Sequence, residues 1–232
     1  MKVVRTRRGA RLVDQDVILS EIRSSPGPTH SLFDVLAACV AALAPGPRFA
    51  LLGFAGGGMI APLRAMGFPH PVEAVDLSRA GEPIFRELSD EWTGDVSLTQ
   101  ADAVQWLRRR RGRFDVIVED LSVPGPAGTI KPYCSFDELP RLVRDRLRPG
   151  GVAITNVLPL PGTSWESLLT RVAFPHDRSV VVSLDEYENR FVLAGAELPS
   201  AAEVSRRVRA RLRAIKSYQA GLISFRTLMR DR

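Results

Sequence analysis

Short apolar runs alternate with segments of helical periodicity along most of this chain. The apolar runs are rich in Val, Ile and Leu, as is typical of strands buried on both faces of a sheet. Repeated strand–helix alternation with short connections predicts an α/β fold with a doubly wound, mostly parallel sheet. The predicted strands are Arg48–Phe54, Val72–Asp76, Val96–Thr99, Phe114–Glu119 and Val152–Val157, and the predicted helices are Gly57–Met66, Arg79–Asp90, Ala103–Arg110, Ser135–Leu147 and Trp165–Val172.

The segment before this alternation predicts a small β-extension. Apolar residues alternate loosely over Ala10–Ile22, which indicates a β-hairpin, and a stretch with two prolines and a glycine then forms a linker. Thr29 or Ser31 can cap a helix that continues through Leu43. We therefore divide the chain into an extension with its linker at 1–28 and a main domain at 29–232.

The C-terminal part predicts a change from parallel to antiparallel pairing. Ser179–Leu184 and Arg190–Ala194 flank a polar turn, so they are expected to form a hairpin that closes one edge of the sheet. An apolar stripe then predicts a final helix from about Ala201 to Met229, with arginines on its opposite face.

Composition fits a soluble protein of one domain, or one domain with a small appendage. The chain has 232 residues, of which 45% are hydrophobic and 25% charged. It contains no apolar run of about 18 residues and no signal core after its basic start, so we expect a cytoplasmic protein without membrane spans. Two cysteines and three histidines are widely scattered, so no metal-ligand spacing appears.

The net charge of +6 comes almost entirely from arginine. Basic clusters occur at Arg108–Arg111 and Arg206–Arg213, and neither is interleaved with the aromatic residues of a base-stacking surface. We interpret both as solvated helix faces and regard nucleic-acid binding as an unlikely accessory role.

Candidate chemistry lies at the ends of four predicted strands. Such folds bind ligands beyond the carboxyl ends of their strands. A small-residue turn at Gly53–Gly58 allows close approach of main chain to a ligand, and Asp76 can accept hydrogen bonds from two ribose hydroxyls. Asp102 and the Ala103 amide can form hydrogen bonds with an adenine. Asp120 can hold or deprotonate a substrate amine. Each aspartate alone also fits a helix cap or a loop contact. Their coincidence at one rim favours a site for a nucleoside-bearing cofactor.

These motifs together resemble the class I S-adenosylmethionine-dependent methyltransferase fold and, within it, the spermidine synthase family. The resemblance rests on Gly53–Gly58, Ala74–Leu77, Gln100–Ala103 and, most specifically, Phe114–Pro126. It implies that S-adenosylmethionine or its decarboxylated form is the cofactor, with Asp120 as the base that deprotonates the attacking nucleophile. The implied cofactor-binding residues are Gly53, Ala55, Gly57, Asp76, Leu77, Asp102, Ala103 and Asp120, and the substrate candidates are Ser122, Tyr133 and His30.

Departures from that family argue against true spermidine synthesis. Val123 replaces a loop aspartate, Gly56 stands where an aspartate grips the aminopropyl amine, and the polyamine-binding Tyr-His-Glu stretch is missing from Thr29–Asp34. A polycation needs several carboxylates to offset its desolvation. Lys131 and Tyr133 can order a lid or bind an acidic substrate, although a solvated surface position is the simpler interpretation.

We therefore expect a transferase that moves a methyl or aminopropyl group to a small-molecule nucleophile. A non-catalytic cofactor-binding or assembly protein is the main alternative, and a nicotinamide-dependent oxidoreductase is weaker because the turn lacks G-x-G-x-x-G spacing. Relatives of this kind are commonly oligomers, so a homodimer is possible.

Overall fold

The computed structural model describes residues 1–14, 17–125 and 128–228. Pro126, in the predicted Asp120 loop, and Met229, with the last three residues of the 29–232 domain, lie outside this range. The strands are β1 (Lys2–Thr6), β2 (Gly9–Asp14), β3 (Val17–Arg23), β4 (Phe49–Leu52), β5 (Val72–Asp76), β6 (Val96–Gln100), β7 (Phe114–Glu119), β8 (Val123–Gly125), β9 (Gly128–Ile130), β10 (Leu147–Val157), β11 (Arg178–Leu184), β12 (Arg190–Gly195) and β13 (Ile223–Thr227). The α-helices are α1 (Leu32–Leu43), α2 (Ile60–Ala65), α3 (Glu82–Ser89), α4 (Ala103–Arg109), α5 (Leu139–Arg146), α6 (Trp165–Ala173) and α7 (Ala201–Ala214).

Eight of the described strands form the central sheet, in the order β13-β11-β12-β10-β7-β4-β5-β6. The strands from β10 to β6 are parallel, whereas β12, β11 and β13 pair antiparallel. The carboxyl ends of the parallel strands therefore share one edge, and β12 begins at that same edge because Arg190 lies opposite Val157. This confirms the predicted mostly parallel α/β sheet.

Helices cover both faces of the sheet because its strands are apolar on both sides. In β4, Phe49 and Leu51 pack with α1, α2, α3 and α7, whereas Ala50 and Leu52 pack with α4, α5 and α6. Alternate side chains of a strand point to opposite faces, so four consecutive buried residues serve two cores. No helix in the described ranges is long and apolar enough to cross a membrane.

The N-terminal extension has three antiparallel strands, one more than the predicted hairpin. The additional strand, β1, has every residue exposed, so its sequence shows no alternation of buried and exposed positions. By contrast, Leu12 of β2 and Ile22 of β3 are buried in the main core. The extension is therefore packed onto the main domain through β2 and β3.

The prediction of one long C-terminal helix is wrong beyond Ala214. The chain reverses through Lys216, whose φ is 57°, and returns as β13 beside β11. Arg209 of α7 donates to the carbonyl oxygens of Ala220 and Ile223. This arginine was predicted to lie on the solvated face of the helix, but it instead connects α7 to the segment that leads into β13. As a result β13, and not the predicted hairpin, forms the sheet edge.

Two further differences surround the predicted Asp120 loop. The loop contains a short antiparallel pair, β8 and β9, which the sequence did not predict. The helix predicted from Ser135 begins at Leu139 as α5, preceded by a single 3₁₀ turn at Tyr133–Ser135. The described residues between β7 and α5 thus include two short strands and a 3₁₀ turn.

Candidate active site

A cavity of about 640 Å³ opens at the carboxyl edge of the sheet. Its volume is within the range of small-molecule and cofactor sites. Four aspartates line it, and no lysine or arginine is found among its described lining residues. The structure brings every predicted cofactor-binding residue to this cavity, namely Gly53, Ala55, Gly57, Asp76, Leu77, Asp102, Ala103 and Asp120.

The glycine turn follows β4 and is held in shape by Asp76 at the end of β5. The amides of Phe54 and Ala55 donate to Asp76 Oδ2 at 2.7 and 2.8 Å, and the Ser78 amide donates to Oδ1 at 2.9 Å. Gly53 has a φ of 91°, and a Cβ at this position would lie 2.4 Å from the Asp120 carbonyl oxygen. A carboxylate has about four acceptor positions, and three amides already occupy Asp76, so about one position remains for a ligand hydroxyl. Asp76 can therefore accept from about one ribose hydroxyl and not from the two that the sequence predicted.

The space beside Gly56 is filled by the N-terminal extension. A Cβ at Gly56 would lie 2.7 Å from Leu12 Cδ1 and 2.8 Å from Ile22 Cδ1. Both of these side chains are buried. An aspartate at position 56 would therefore enter an apolar contact, which gives a physical reason for the missing acid.

Asp102 lies at the end of β6 and caps α4. Its Oδ1 accepts from the Gln105 amide at 2.9 Å, as the cap interpretation predicts. The Asp102 and Ala103 residues nonetheless line the cavity. The cap uses one carboxylate oxygen, so it is compatible with a ligand contact through the other.

Asp120 lies directly after β7, half-buried and linked to two asparagines. Asn156 Nδ2 donates to Asp120 Oδ1 at 2.7 Å, and Asn189 Nδ2 donates to Asn156 Oδ1 at 2.9 Å. Burial raises the pKa of Asp120 from 3.8 to about 6, while the Asn156 hydrogen bond and the charge of Lys131 act in the opposite direction. A carboxylate with such a pKa can accept a proton near neutral pH.

A buried ion pair supports the loop from behind. Lys131 Nζ donates to Glu119 Oε1 at 2.7 Å and to the Leu121 carbonyl oxygen at 2.8 Å. Ser135 Oγ and the Leu121 amide donate to the same Glu119 oxygen, both at 3.1 Å. Lys131 is 2% exposed, so the interpretation of this lysine as a solvated surface residue is wrong.

The three substrate candidates lie in different places. Ser122 lines the cavity, whereas Tyr133 and His30 are not among its described lining residues. Tyr133 is 65% exposed and its hydroxyl accepts from Arg171 at 3.2 Å. His30 stacks on Tyr218 with ring centroids 5.1 Å apart.

The sequence did not predict that Asn156 and Asn189 line the cavity, or that the N-terminal extension contributes to its lining. Asn156 lies near the carboxyl end of β10, so the strand-end rule that found the aspartates also applies to it. Asn189 immediately precedes β12, and it reaches the same edge only because β12 is antiparallel to β10. The contribution of Ile18 and Leu19 has no comparable signal, because it depends on where the extension packs. In the described part of the chain, no group of three or more metal-ligating side chains occurs.

Comparisons with known proteins concern the fold alone. No protein-family model matches the chain, and no curated protein matches it. Among solved structures it is similar to human methyltransferase-like protein 13 in complex with SAH (TM-score 0.61, 17% identity, covering 80% of this chain and 90% of that one). It is also similar to spermidine synthase from Thermotoga maritima (TM-score 0.63, 14% identity, 83% and 67% covered) and to a spermidine synthase in complex with the transition-state analogue AdoDATO (0.62, 13%, 85% and 68%). The chain thus has the fold shared by class I S-adenosylmethionine-dependent methyltransferases and spermidine synthases.

Proposed function

We propose that this protein is a transferase that binds S-adenosylmethionine or its decarboxylated form and transfers a group from the sulfonium to a small-molecule nucleophile. The observation that carries the proposal is the cavity, into which all the predicted cofactor residues converge and whose described lining has aspartates but no basic side chain. A sulfonium cation is favoured by such surroundings. The solved structures with SAH and AdoDATO support the same kind of ligand for this fold.

Each end of the proposed cofactor has matching groups. Asp102 and the Ala103 amide would bind the adenine, the free acceptor position of Asp76 would bind a ribose hydroxyl, and the turn would approach the amino-acid end through main-chain atoms. Leu77 is 62% exposed at the cavity rim, where a nucleoside would cover it.

Asp120 is the proposed general base. The bound cofactor would supply an electrophilic carbon whose bond to sulfur breaks with its electron pair going to sulfur, and Asp120 would take the proton of the attacking nucleophile. Alignment of nucleophile, carbon and sulfur supplies the rest of the rate enhancement.

Methyl transfer from ordinary S-adenosylmethionine is the better-supported form of this chemistry. The amino-acid end of that cofactor is zwitterionic and neutral overall, whereas the decarboxylated form has a bare ammonium group. No carboxylate is present at position 56 to offset that ammonium, and Leu12 and Ile22 occupy its space. Desolvation therefore disfavours the decarboxylated form.

Calorimetry and a substituted cap residue test the cofactor assignment. Asp102→Ser keeps a good N-cap but removes the carboxylate, so we expect SAH binding to weaken by about tenfold, as for loss of one charged hydrogen bond, with little change in thermal stability. Asp102→Ala, which also loses the cap, is the matched comparison. Absence of binding of SAH, S-adenosylmethionine and methylthioadenosine to the unaltered protein would refute the proposal.

Mass-spectrometric detection of transfer tests the chemistry. Methyl or aminopropyl transfer that disappears in Asp120→Asn is the expected result. Tight cofactor binding without transfer to any of a panel of amines and hydroxyl compounds would instead identify a non-catalytic binding protein.

A further inference from the structure

The strand order divides the cavity into two halves. The ends of β4, β5 and β6 provide the turn, Asp76 and Asp102, which belong to the proposed cofactor half. The neighbouring strands on the other side, β7, β10 and β12, bring Asp120, Asn156 and Asn189 to the same rim. Adjacent strands are about 4.8 Å apart, so this second half extends about 10 Å beyond Asp120 and has room for an acceptor molecule.

The walls of this acceptor half are mostly apolar. The extension supplies Val17, Ile18 and Leu19 of β3 to the cavity lining, and Ile18 is 45% exposed. Glu21 of the same strand is close enough to Tyr187 for their charges to interact. Tyr187, beside the backbone of Leu32, adds an aromatic surface, and burial raises the pKa of its hydroxyl to about 12, so the side chain stays neutral. Leu32, next to Tyr187, and Leu158, which directly follows β10, are further apolar lining residues on this side.

Few negative charges are available to a polycation in this half. Two of the four lining aspartates, Asp76 and Asp102, belong to the cofactor half. Besides Asp120, that leaves only Asp14 among the described lining residues, and its carboxylate lies 2.9 Å from the amino group of Met1. Glu186 accepts from Gln219 at 2.9 Å and does not line the cavity. A second or third ammonium of a polyamine would therefore lose its hydration without gaining a carboxylate partner, at a substantial free-energy cost.

We infer that the acceptor is a predominantly apolar small molecule with a single nucleophilic amine or hydroxyl, and not a polyamine. This inference rests on the proposed function, since it assigns the second half of the cavity to the acceptor. The nucleophile lies at Asp120, and the apolar body lies against the extension. Asn156 keeps Asp120 aimed at the nucleophile.

Two amines with the same number of heavy atoms provide the test. Pentylamine and 1,4-diaminobutane differ only in whether the far end is a methyl or an ammonium group. We expect ligand-observed NMR titration, with the protein saturated with SAH, to show at least about tenfold tighter binding of pentylamine, because its far end is buried without a charge. Equal binding, tighter binding of the diamine, or binding of neither amine would overturn the inference.

A pair of substitutions locates the effect in the apolar wall. Ile18→Asp places a carboxylate in that wall and should reduce the preference for pentylamine at least about fivefold, since the added charge is a partner for the second ammonium. Val4→Asp is the matched control, because Val4 is 47% exposed on the same extension but does not line the cavity. The same change in both variants would contradict the assignment.

Calorimetry with SAH distinguishes failure of the proposed function from failure of the proposed acceptor class. Loss of SAH binding counts against the proposed function as a whole. Retained SAH binding with a preference for the diamine counts against the acceptor class alone.

Discussion

At the scale of single residues, Asp120 combines a functional role with a cost in stability. Because burial raises its pKa to about 6, the folded protein retains a proton that the unfolded chain releases from about pH 4. The free energy of unfolding therefore falls as pH rises through this window, and the cost is fully present above pH 6. A shift of about two pKa units corresponds to about 3 kcal/mol.

We therefore expect Asp120→Asn to be more stable than the unaltered protein at pH 7 and to lose transfer activity. The gain of about 3 kcal/mol should shrink toward zero below pH 4, where the original carboxyl is protonated in both the folded and the unfolded state. Urea unfolding at pH 4 and pH 7 measures this difference. A variant that is less stable at pH 7 would show that the carboxylate is better solvated than its burial indicates.

Substitution of Asn156 should change the Asp120 pKa, because the Asn156 amide stabilises the ionised form of Asp120. Asn156→Ala should raise the Asp120 pKa further and move the acidic limb of the pH–rate profile to higher pH. Asn189→Ala is the control: it leaves the direct donor in place and should cause a smaller movement. Equal effects of the two substitutions would indicate that general disturbance of the loop is responsible.

At the scale of elements, the sequence predicted those strands and helices whose buried residues recur at a regular spacing. It did not predict strands that form only because of contacts with distant parts of the chain. Val72–Asp76 and Phe114–Glu119 match β5 and β7 residue for residue, because most of their residues are apolar and buried. Two edge strands were missed: β1 is exposed along its length, and β13 was merged with a helix. In β13 only Ile223 is fully buried, so its five residues carry too weak a pattern to reveal a strand.

Arg209 joins two of these elements and can be tested directly. Arg209→Ala removes the hydrogen bonds to Ala220 and Ile223, so we expect faster hydrogen exchange of the β13 amides with little change in β7. Arg206→Ala is the matched control, since Arg206 is exposed and pairs with Glu203 of the same helix. Similar exchange in the two variants would mean that strand pairing alone retains β13.

The contact between the extension and the glycine turn predicts the effect of restoring the missing acid. Gly56→Asp would bury a carboxylate against Leu12 and Ile22, so we expect it to lower the free energy of unfolding by about 2–4 kcal/mol. Gly56→Ala, which adds only a methyl group, should cost clearly less. Unchanged stability of Gly56→Asp in urea unfolding, together with improved binding of 1,4-diaminobutane, would show that the extension yields to a family-like acid.

At the scale of the whole molecule, charge is segregated. The chain has a net charge of +6, yet the described cavity lining contains aspartates and no lysine or arginine. The composition alone indicated a basic protein and gave no sign of an acidic interior site. Only the strand-end positions of Asp76, Asp102 and Asp120 pointed to it, and the topology then placed these residues side by side.

This segregation predicts how cofactor binding stabilises the fold. A ligand at about 100 times its Kd raises the free energy of unfolding by about 2.7 kcal/mol, or about 5–10 °C in melting temperature for a chain of this size. S-adenosylmethionine carries a positive sulfonium that SAH lacks, so its affinity relative to SAH should increase between pH 5 and pH 7.5 as Asp120 ionises. Thermal-shift titrations with both ligands measure the ratio, which should be independent of pH in Asp120→Asn. The same pH dependence in that variant would assign the attraction to another group and remove Asp120 from the reacting end of the cofactor.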